Sequence, residues 1–302
     1  MSRVLVTGGT GFIGRWVVAE LRAHGHDVTV FDARPNPSAL DELRPGLAAE
    51  VRLVSGDIAD GSVRDAAQGA DGIVHLAGVM TVDAAADPVR AAEINLIGSL
   101  HVFEAARAHG IDRIAYVSTA GVFGPDDPIY PQPMTHYGAQ KLAIEGAARA
   151  YLLDHGLPSI GFRPYIVYGP GQSSGIAAGP SIAIGAAARG EAATIRFSGR
   201  VGFVHVRDVA ALMVAAVRAP VSGATAYTLC GETTGMDDFV RELRSQAPGA
   251  EVTIEGPPLR IPTDLATSPL PTALARVPVT GVSDGIAATL DFYRARRGIG
   301  AA

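Results

Sequence analysis

The sequence is poor in cysteine, carries no excess of positive charge and has no long apolar run. Cys230 is the only cysteine, which excludes an internal disulfide framework and fits a reducing compartment; no Cys/His cluster has the spacing of zinc ligands, so we expect no metal site. The 25 lysine and arginine residues are outnumbered by 30 acidic residues, and the net charge of −5 argues against a nucleic-acid partner. The longest apolar stretch, residues 209–217, is far shorter than the roughly 20 residues that cross a membrane.

The first residues leave no room for a secretory signal. Met1 leads through Ser2 and Arg3 directly into a short apolar run, residues 4–6, without the longer apolar region and cleavage site of a signal peptide. We therefore expect a cytoplasmic protein with no membrane partner. With 48% hydrophobic and 18% charged residues, the chain can bury a large core, either as one large α/β domain or as a domain with a smaller cap.

Short β-rich runs alternate with Ala/Leu-rich segments through the first half of the chain, which is the pattern of a parallel sheet flanked by helices. The runs are apolar on both faces, as in a sheet that is covered on both sides. We predict strands at residues 4–7, 27–31, 51–54, 72–76, 113–118 and 159–163, and helices at 13–24, 88–109 and 137–155.

The composition changes after about residue 165. A Gly/Ser/Pro-rich stretch at 169–180 and a series of later prolines divide this part into short elements. Residues 201–218 nevertheless predict a strand followed by a helix that returns to the main sheet. We therefore expect a nucleotide-binding domain at 1–165, to which 201–220 returns, and a smaller substrate-binding region at 166–302.

A glycine-rich turn follows the first predicted strand and opens the first helix. Residues 7–14 have the sequence TGGTGFIG, so Gly8, Gly11 and Gly14 form a GxxGxxG pattern. Glycine allows a tight turn, close approach of a pyrophosphate to N–H groups at the positive end of a helix, and close packing of that helix on the sheet. This context predicts dinucleotide binding by a Rossmann-type, doubly wound parallel sheet.

Two acidic residues follow predicted strands on the cofactor side. Asp32 ends the second strand, about 20 residues beyond the glycine turn, where a carboxylate accepts hydrogen bonds from the adenosine ribose and favours NAD. Arg34 could instead meet a 2′-phosphate, so NADP stays open, or it could form a solvated pair with the aspartate. Asp57 follows the third strand and suits either a contact with the adenine edge or a cap for the next turn.

Tyr137 and Lys141 stand four residues apart in a predicted helix and therefore share one face. A phenol has an unperturbed pKa of about 10, and a neighbouring ammonium favours the phenolate. Tyr137 could then exchange a proton with a substrate hydroxyl while hydride moves to or from a nicotinamide. Because the pair follows a glycine turn and a fifth strand that leads into Ser118 and Thr119, a catalytic role is favoured over a surface pair.

With these residues the sequence resembles the extended short-chain dehydrogenase/reductase family, in its NAD-dependent epimerase/dehydratase group. The resemblance covers most of the chain. It rests on residues 7–14, Asp57, residues 75–78, Asn95, Ser118 and Thr119 before 122–124, Tyr137, Lys141, Arg163, Pro164, residues 167–171, and 203–206 before Asp208.

The resemblance implies a role for each matched position. Thr119 would hydrogen-bond the reacting oxygen, Tyr137 would act as acid and base, and Lys141 would tune Tyr137 and hold the nicotinamide ribose. Asn95 would have a structural role in the family's fold, or else only a local hydrogen bond. His205 is better explained as a structural histidine than as a catalyst. The implied cofactor-binding residues are Gly8, Gly11, Phe12, Ile13, Gly14, Asp32, Arg34, Asp57, Ile58, Leu76, Ala77, Gly78, Tyr137, Lys141, Pro164 and Tyr165.

The sequence departs from the family pattern in two places. Family dehydratases have Asp-Glu directly after the threonine, where this chain has Ala120 and Gly121, so dehydration is disfavoured. Nucleotide-sugar epimerases commonly contact the diphosphate with an asparagine and an arginine at the positions of Ile166 and Val201, and neither side chain can donate to a phosphate. This points towards a smaller substrate, such as a sugar acid, a free sugar or a similar hydroxylated molecule. The arginines that could compensate are Arg196, Arg200, Arg260 and Arg276.

Three functions stay open on the sequence. An enzyme that releases reduced cofactor is a dehydrogenase or reductase, whereas one that returns hydride to the opposite face is an epimerase, such as a nucleotide-sugar epimerase with tightly held NAD. The third is a non-catalytic NAD(P)-sensing regulator, which the joint presence of Thr119, Tyr137 and Lys141 disfavours. We also expect a homodimer through the helices at 88–109 and 137–155, although intramolecular packing explains their alanine-rich faces equally well.

Overall fold

The computed structural model describes residues 2–220 and 222–297. Its strands are β1 Arg3–Thr7, β2 Asp27–Asp32, β3 Arg52–Ser55, β4 Gly72–His75, β5 Ile114–Val117, β6 Ser159–Pro164, β7 Ile166–Tyr168, β8 Ala193–Ile195, β9 Arg200–His205, β10 Ala224–Leu229, β11 Glu232–Gly235 and β12 Val252–Ile254. Its α-helices are α1 Phe12–Ala23, α2 Pro37–Leu43, α3 Val63–Ala66, α4 Thr81–Ala86, α5 Pro88–Ala92, α6 Gly98–His109, α7 His136–His155, α8 Gly179–Arg189, α9 Val206–Arg218, α10 Met236–Gln246 and α11 Val282–Arg297.

A seven-stranded parallel sheet in the order β10-β6-β5-β4-β1-β2-β3 forms the centre of the molecule. The apolar residues of α1 and α9 bury one face of the sheet, and those of α6 and α7 bury the other. All six predicted strands are present, and no strand end differs from the prediction by more than one residue. The doubly wound fold class is therefore confirmed, and the carboxyl ends of the parallel strands lie at one edge of the sheet.

The predicted helix at residues 88–109 is one continuous helical segment with a different hydrogen-bond pattern in its middle. Residues Glu93–Ile97 form a π-helical turn between α5 and α6. Such turns occur frequently at functional sites, because the extra residue redirects one side chain. Here the buried residue of the turn is Asn95.

The second half of the chain has its own core. Strands β11, β9 and β7 form a three-stranded sheet, and β12 pairs with β8. Within residues 201–218 the strand β9 lies in this small sheet, whereas helix α9 packs on the large one. The strand that extends the large sheet is β10, which is not among the predicted strands. The domain boundary at residue 165 stays a prediction.

No helix in residues 2–220 and 222–297 combines the length and the apolar character that a membrane crossing needs.

Candidate active site

The glycine-rich turn forms a crevice at the carboxyl end of β1. Gly8 has a φ of +68°, and its N–H donates to the carbonyl oxygen of Phe31 across 2.8 Å. A Cβ at Gly8 would lie 2.8 Å from the backbone nitrogen of Ala77, and one at Gly14 would lie 2.2 Å from the Gly8 carbonyl oxygen. Helix α1 begins at Phe12 without a side-chain cap, so its first N–H groups are available to a pyrophosphate. The turn fits a dinucleotide.

Asp32 is fixed beside this turn. Thr10 donates to its Oδ2 from the hydroxyl across 2.6 Å and from the backbone N–H across 3.3 Å, and the Arg34 N–H donates to Oδ1 across 3.2 Å. The Arg34 side chain is exposed and makes no hydrogen bond or ion pair to any residue that the structure describes. The carboxylate, rather than the guanidinium, is therefore built into the site, as in an NAD pocket.

Asp57 accepts a hydrogen bond from the Ala59 N–H across 2.9 Å and caps the short 3₁₀ helix Ile58–Asp60. Its other oxygen pairs with Arg90 of α5. This is the capping role that the sequence left open, whereas the contact of Asp57 with adenine and cofactor binding by Ile58 stay predictions. Ile58 is buried against the backbone of Gly98.

Residues 76–78 continue from β4 and are held by a chain of hydrogen bonds. Thr7 Oγ1 accepts from the N–H groups of Leu76 and Ala77, each across 3.2 Å, so its own proton goes to His75 Nδ1 at 2.7 Å. His75 Nε2 then donates to Ser99 Oγ at 2.8 Å. Burial lowers the pKa of His75 to about 3, which keeps the imidazole neutral in this chain.

Asn95 joins this strand end to α7. Its Oδ1 accepts from the Val79 N–H across 2.8 Å, and its Nδ2 donates to the Val79 carbonyl across 3.1 Å and to Gln140 Oε1 across 2.8 Å. A Cβ at Gly78 would lie 2.8 Å from Asn95 Oδ1. These bonds span long sequence separations, so the residue organises the site rather than its own helix.

Tyr137 lies in the first turn of α7, whose N-cap is Thr135. Its ring packs on Val79, Ala84 and Ala91, and its hydroxyl makes no hydrogen bond to any described residue. Burial raises the pKa of Tyr137. The sequence predicts that Lys141 lowers the pKa of Tyr137. In the structure, however, Lys141 Nζ lies 5.8 Å from the ring centroid of Tyr137, and the pKa of the phenol stays raised in the protein without cofactor or substrate.

Lys141 is the only lysine in the sequence. Its side chain is buried, and Nζ donates to the Val117 carbonyl oxygen across 3.0 Å. Burial lowers its pKa to about 8, and the negative charge of Glu145 opposes that fall. The patterns in the sequence did not single out Glu145, although its spacing of four residues from Lys141 places it on the same helix face.

Thr119 caps the 3₁₀ turn Ala120–Val122, and its Oγ1 accepts from the Gly121 N–H across 3.0 Å. A Cβ at Gly138 would lie 2.3 Å from the Gly121 carbonyl oxygen, so only glycine lets the start of α7 approach this turn. This contact brings the end of β5 next to the helix turn that carries Tyr137.

The remaining predicted residues lie around this edge. Pro164 ends β6, and the buried Tyr165 donates its hydroxyl to the Ile261 carbonyl across 3.3 Å. His205 Nδ1 caps α9 through the Arg207 N–H, its Nε2 has no partner among the described residues, and burial lowers its pKa to about 4. The structural explanation of His205 is consistent with this environment.

The two positions that would contact a diphosphate are apolar and buried. Ile166 lies in β7 and Val201 in β9, both within the second core. Among the arginines that could compensate, Arg196 pairs with Glu255 and Arg200 donates to the Thr233 carbonyl. Arg260 and Arg276 are exposed.

The sequence and the fold both match known proteins. The family model described as NAD dependent epimerase/dehydratase family matches residues 4–230. A UDP-glucose 4-epimerase of Mycolicibacterium smegmatis is 30% identical over 97% of this chain and 98% of its own length. A UDP-glucose 4-epimerase of Corynebacterium glutamicum is 34% identical over 55% of this chain. That match spans only 52% of the relative's own length. The structure of the Thermus thermophilus UDP-glucose 4-epimerase in complex with NAD superposes with a TM-score of 0.77 at 28% identity, covering 97% of this chain and 99% of that one.

Proposed function

The chain belongs to the NAD-dependent epimerase/dehydratase family, and from that membership we propose that it moves hydride between NAD and a hydroxyl- or carbonyl-bearing carbon of a sugar, a sugar acid or a similar hydroxylated small molecule. One observation carries the proposal. The hydroxyl of Tyr137 has no partner among the described residues, and it lies on the helix that holds Lys141 against the β5 end from which Thr119 projects.

Each of the three side chains has a distinct task. Tyr137 takes the proton of a substrate hydroxyl during oxidation and returns it during reduction. Thr119, whose Oγ1 accepts from a backbone N–H, can donate its own proton to the same substrate oxygen. Lys141 places a positive charge 5.8 Å from the ring centroid of Tyr137 and so lowers the cost of forming the phenolate. NAD, when bound in the glycine-lined crevice, supplies the acceptor and donor of hydride.

Dehydration has no support at this site. The residues after Thr119 are the buried Ala120 and Gly121, whose N–H is already bonded to Thr119. Neither can exchange a proton with a sugar carbon, so the activity we propose is dehydrogenation, reduction or epimerisation.

We favour a substrate without a nucleotide diphosphate, because Ile166 and Val201 present no donor to phosphate. A second candidate is a nucleotide-sugar epimerase, which is favoured by the similarity to UDP-glucose 4-epimerases over nearly the whole chain. The two differ in whether reduced cofactor is released and in whether the substrate carries a nucleotide.

The test is turnover of free sugars, sugar acids and nucleotide sugars with NAD or NADP. Stoichiometric reduced cofactor identifies a dehydrogenase, and stereochemical inversion without net reduction identifies an epimerase. Tyr137→Phe should lower kcat by roughly 10²- to 10⁴-fold while calorimetry still detects NAD binding. Tyr151→Phe, on the same helix but bonded to Glu104, is the matched control. NAD binding without turnover on any substrate would instead support the sensor.

We also propose a homodimer. Val89 and Leu153 are 71% and 84% exposed on the two helices predicted to form the interface, whereas many alanines of the same helices are buried inside the protomer. Light scattering tests this: Val89→Glu with Leu153→Glu should yield a monomer, and Val279→Glu, at a comparably exposed valine outside these helices, should not.

A cytoplasmic location is proposed on the single, buried Cys230, and cell fractionation tests it.

A further inference from the structure

A buried ion pair lies one helical turn from Lys141. Glu145 follows Lys141 by four residues on α7, and Arg163 reaches it from β6. Arg163 Nε donates to Glu145 Oε1 across 2.8 Å, and its Nη2 donates to Oε2, so the pair is bidentate. The Glu145 side chain is 7% exposed and that of Arg163 18%. Because desolvation offsets most of the attraction in such a pair, stability alone is a weak reason for its presence.

The same carboxylate binds the segment that carries Thr119. Ser118 Oγ donates to Glu145 Oε1, and the carbonyl oxygen of the preceding Val117 accepts from Lys141 Nζ. Helix α7 is therefore tied to residues 117–119 by two hydrogen bonds that start one helical turn apart. One bond comes from the ammonium, and the other goes to the carboxylate.

The arginine extends this support beyond Thr119. Its Cζ lies 5.3 Å from the ring centroid of Phe123, which follows the 3₁₀ turn that Thr119 caps. Arg163 thus contacts Phe123 after that turn. Through Glu145, which binds Ser118, it also supports the segment before the turn.

We propose that Glu145, oriented by Arg163, is a positioning residue that keeps Lys141 positively charged and fixes it relative to Thr119. The inference rests on the proposed function of Tyr137, Lys141 and Thr119. It adds to that function a residue that touches neither substrate nor cofactor.

The charges around Lys141 support this assignment. Glu145 is the negative group that raises the pKa of Lys141 against the effect of burial. The imidazole of His75 on β4 is neutral, because its pKa is lowered to about 3. Burial also raises the pKa of the two phenols nearby, Tyr116 of β5 and Tyr137 of α7, so neither places a negative charge beside Lys141 in the protein without cofactor and substrate. Glu145 therefore supplies the negative charge that stabilises the protonated form of Lys141, and the ion pair with Arg163 holds the carboxylate in place.

The single lysine makes a direct measurement simple. Protein labelled with [ε-¹³C]lysine should give one side-chain NMR signal, that of Lys141, which titrates with a pKa of about 8 in the wild type. In Glu145→Gln, which keeps the size of the side chain, we expect the pKa of Lys141 to fall by roughly one unit or more. Glu50→Gln breaks another bidentate pair, the more exposed one with Arg44, outside the site and should leave the signal unchanged.

Kinetics separate positioning from a merely structural role. In Glu145→Gln, kcat should fall at neutral pH and recover towards the wild-type value below the new pKa of Lys141, while KM for NAD changes less. A loss of kcat that is equal at all pH values would overturn the proposal, as would an unchanged Lys141 titration in a folded variant.

Two further arms keep the test decisive. If Glu145→Gln alone does not fold, Glu145→Gln with Arg163→Met removes both charges with little change in volume and should lower the pKa of Lys141 in the same way. The NMR titration needs no substrate. Its failure is therefore distinguishable from failure of the proposed function, in which the wild type would show no turnover.

Discussion

Lys141 Nζ donates a hydrogen bond to the Val117 carbonyl oxygen across 3.0 Å. This bond fastens the one lysine ammonium of the sequence to the end of β5, two residues before Thr119. The ammonium nitrogen lies 5.8 Å from the ring centroid of Tyr137. The proton on Lys141 is therefore part of the site, and its titration should be visible in the activity.

Turnover should decline as pH rises through about 8, the pKa of Lys141, because the phenolate of Tyr137 then loses its neighbouring charge. The decline in turnover is not caused by unfolding, because deprotonation of Lys141 does not destabilise the folded protein. The unfolded lysine, with a pKa near 10.5, binds more protons than the folded one between pH 8 and 10.5, so its contribution to stability rises with pH in that window. Profiles of kcat against pH and denaturation at pH 7 and 9 check this. A flat profile across pH 7–9.5 would contradict the assigned role.

Gly14→Ala should abolish tight NAD binding. A Cβ there would lie 2.2 Å from the Gly8 carbonyl oxygen and 2.7 Å from Gly9 Cα, so the turn must open and its N–H groups lose their alignment with the pyrophosphate. Loss of two such bonds to a charged group corresponds to roughly 100-fold or more in Kd, measurable by calorimetry.

Gly146→Ala is the control for this change. Gly146 lies inside α7, and a Cβ there meets no atom within 4 Å. Alanine should therefore stabilise the protein by about 0.5–1 kcal/mol and leave NAD binding intact. Equal NAD affinity in the two variants would count against the glycine turn as the pyrophosphate site.

Asp32→Ala should weaken NAD binding more than Arg34→Ala does. The Asp32 carboxylate is held by Thr10 and by the Arg34 N–H, whereas the Arg34 side chain is exposed. Loss of charge-assisted bonds to the ribose hydroxyls should raise KM for NAD by roughly 10- to 100-fold. The measurement is KM for NAD and for NADP in each variant. An enzyme that prefers NADP and loses this preference in Arg34→Ala would reverse the assignment.

Local patterns predicted much of the fold. Short β-rich runs between Ala/Leu-rich segments located six of the seven strands of the large sheet, and the glycine turn located the first crossover. The seventh strand, β10, was missed because residues 224–229 (ATAYTL) lack a distinctive pattern and form a strand only by pairing with β6. The π-helical turn around Asn95 was missed for a related reason. It is stabilised by bonds to Val79 and Gln140, which lie 16 and 45 residues away in sequence.

The site followed the same division. Motifs placed Thr119, Tyr137 and Lys141, because their spacing and order along the chain are local properties. Sequence alone did not reveal that Glu145 meets Arg163, since β6 reaches α7 only in the folded sheet. Nor did it reveal that Lys141 bonds to Val117 rather than to the phenol, because burial of the side chains depends on the whole packing.

His75 should make the protein sensitive to acid. Its folded-state pKa of about 3 lies below the unfolded value of 6.5, so the unfolded state binds more protons between these values and stability is lost as pH falls through this window. From pH 6.5 to pH 4, this one group should cost roughly 3 kcal/mol. The measurement is urea denaturation at several pH values. The free energy of unfolding of His75→Gln should depend on pH less steeply than that of the wild type, by about one proton. The variant should also be less stable at every pH, because Thr7 and Ser99 lose their imidazole partner. Equal slopes in wild type and His75→Gln would show that this imidazole is not held neutral between β1 and α6.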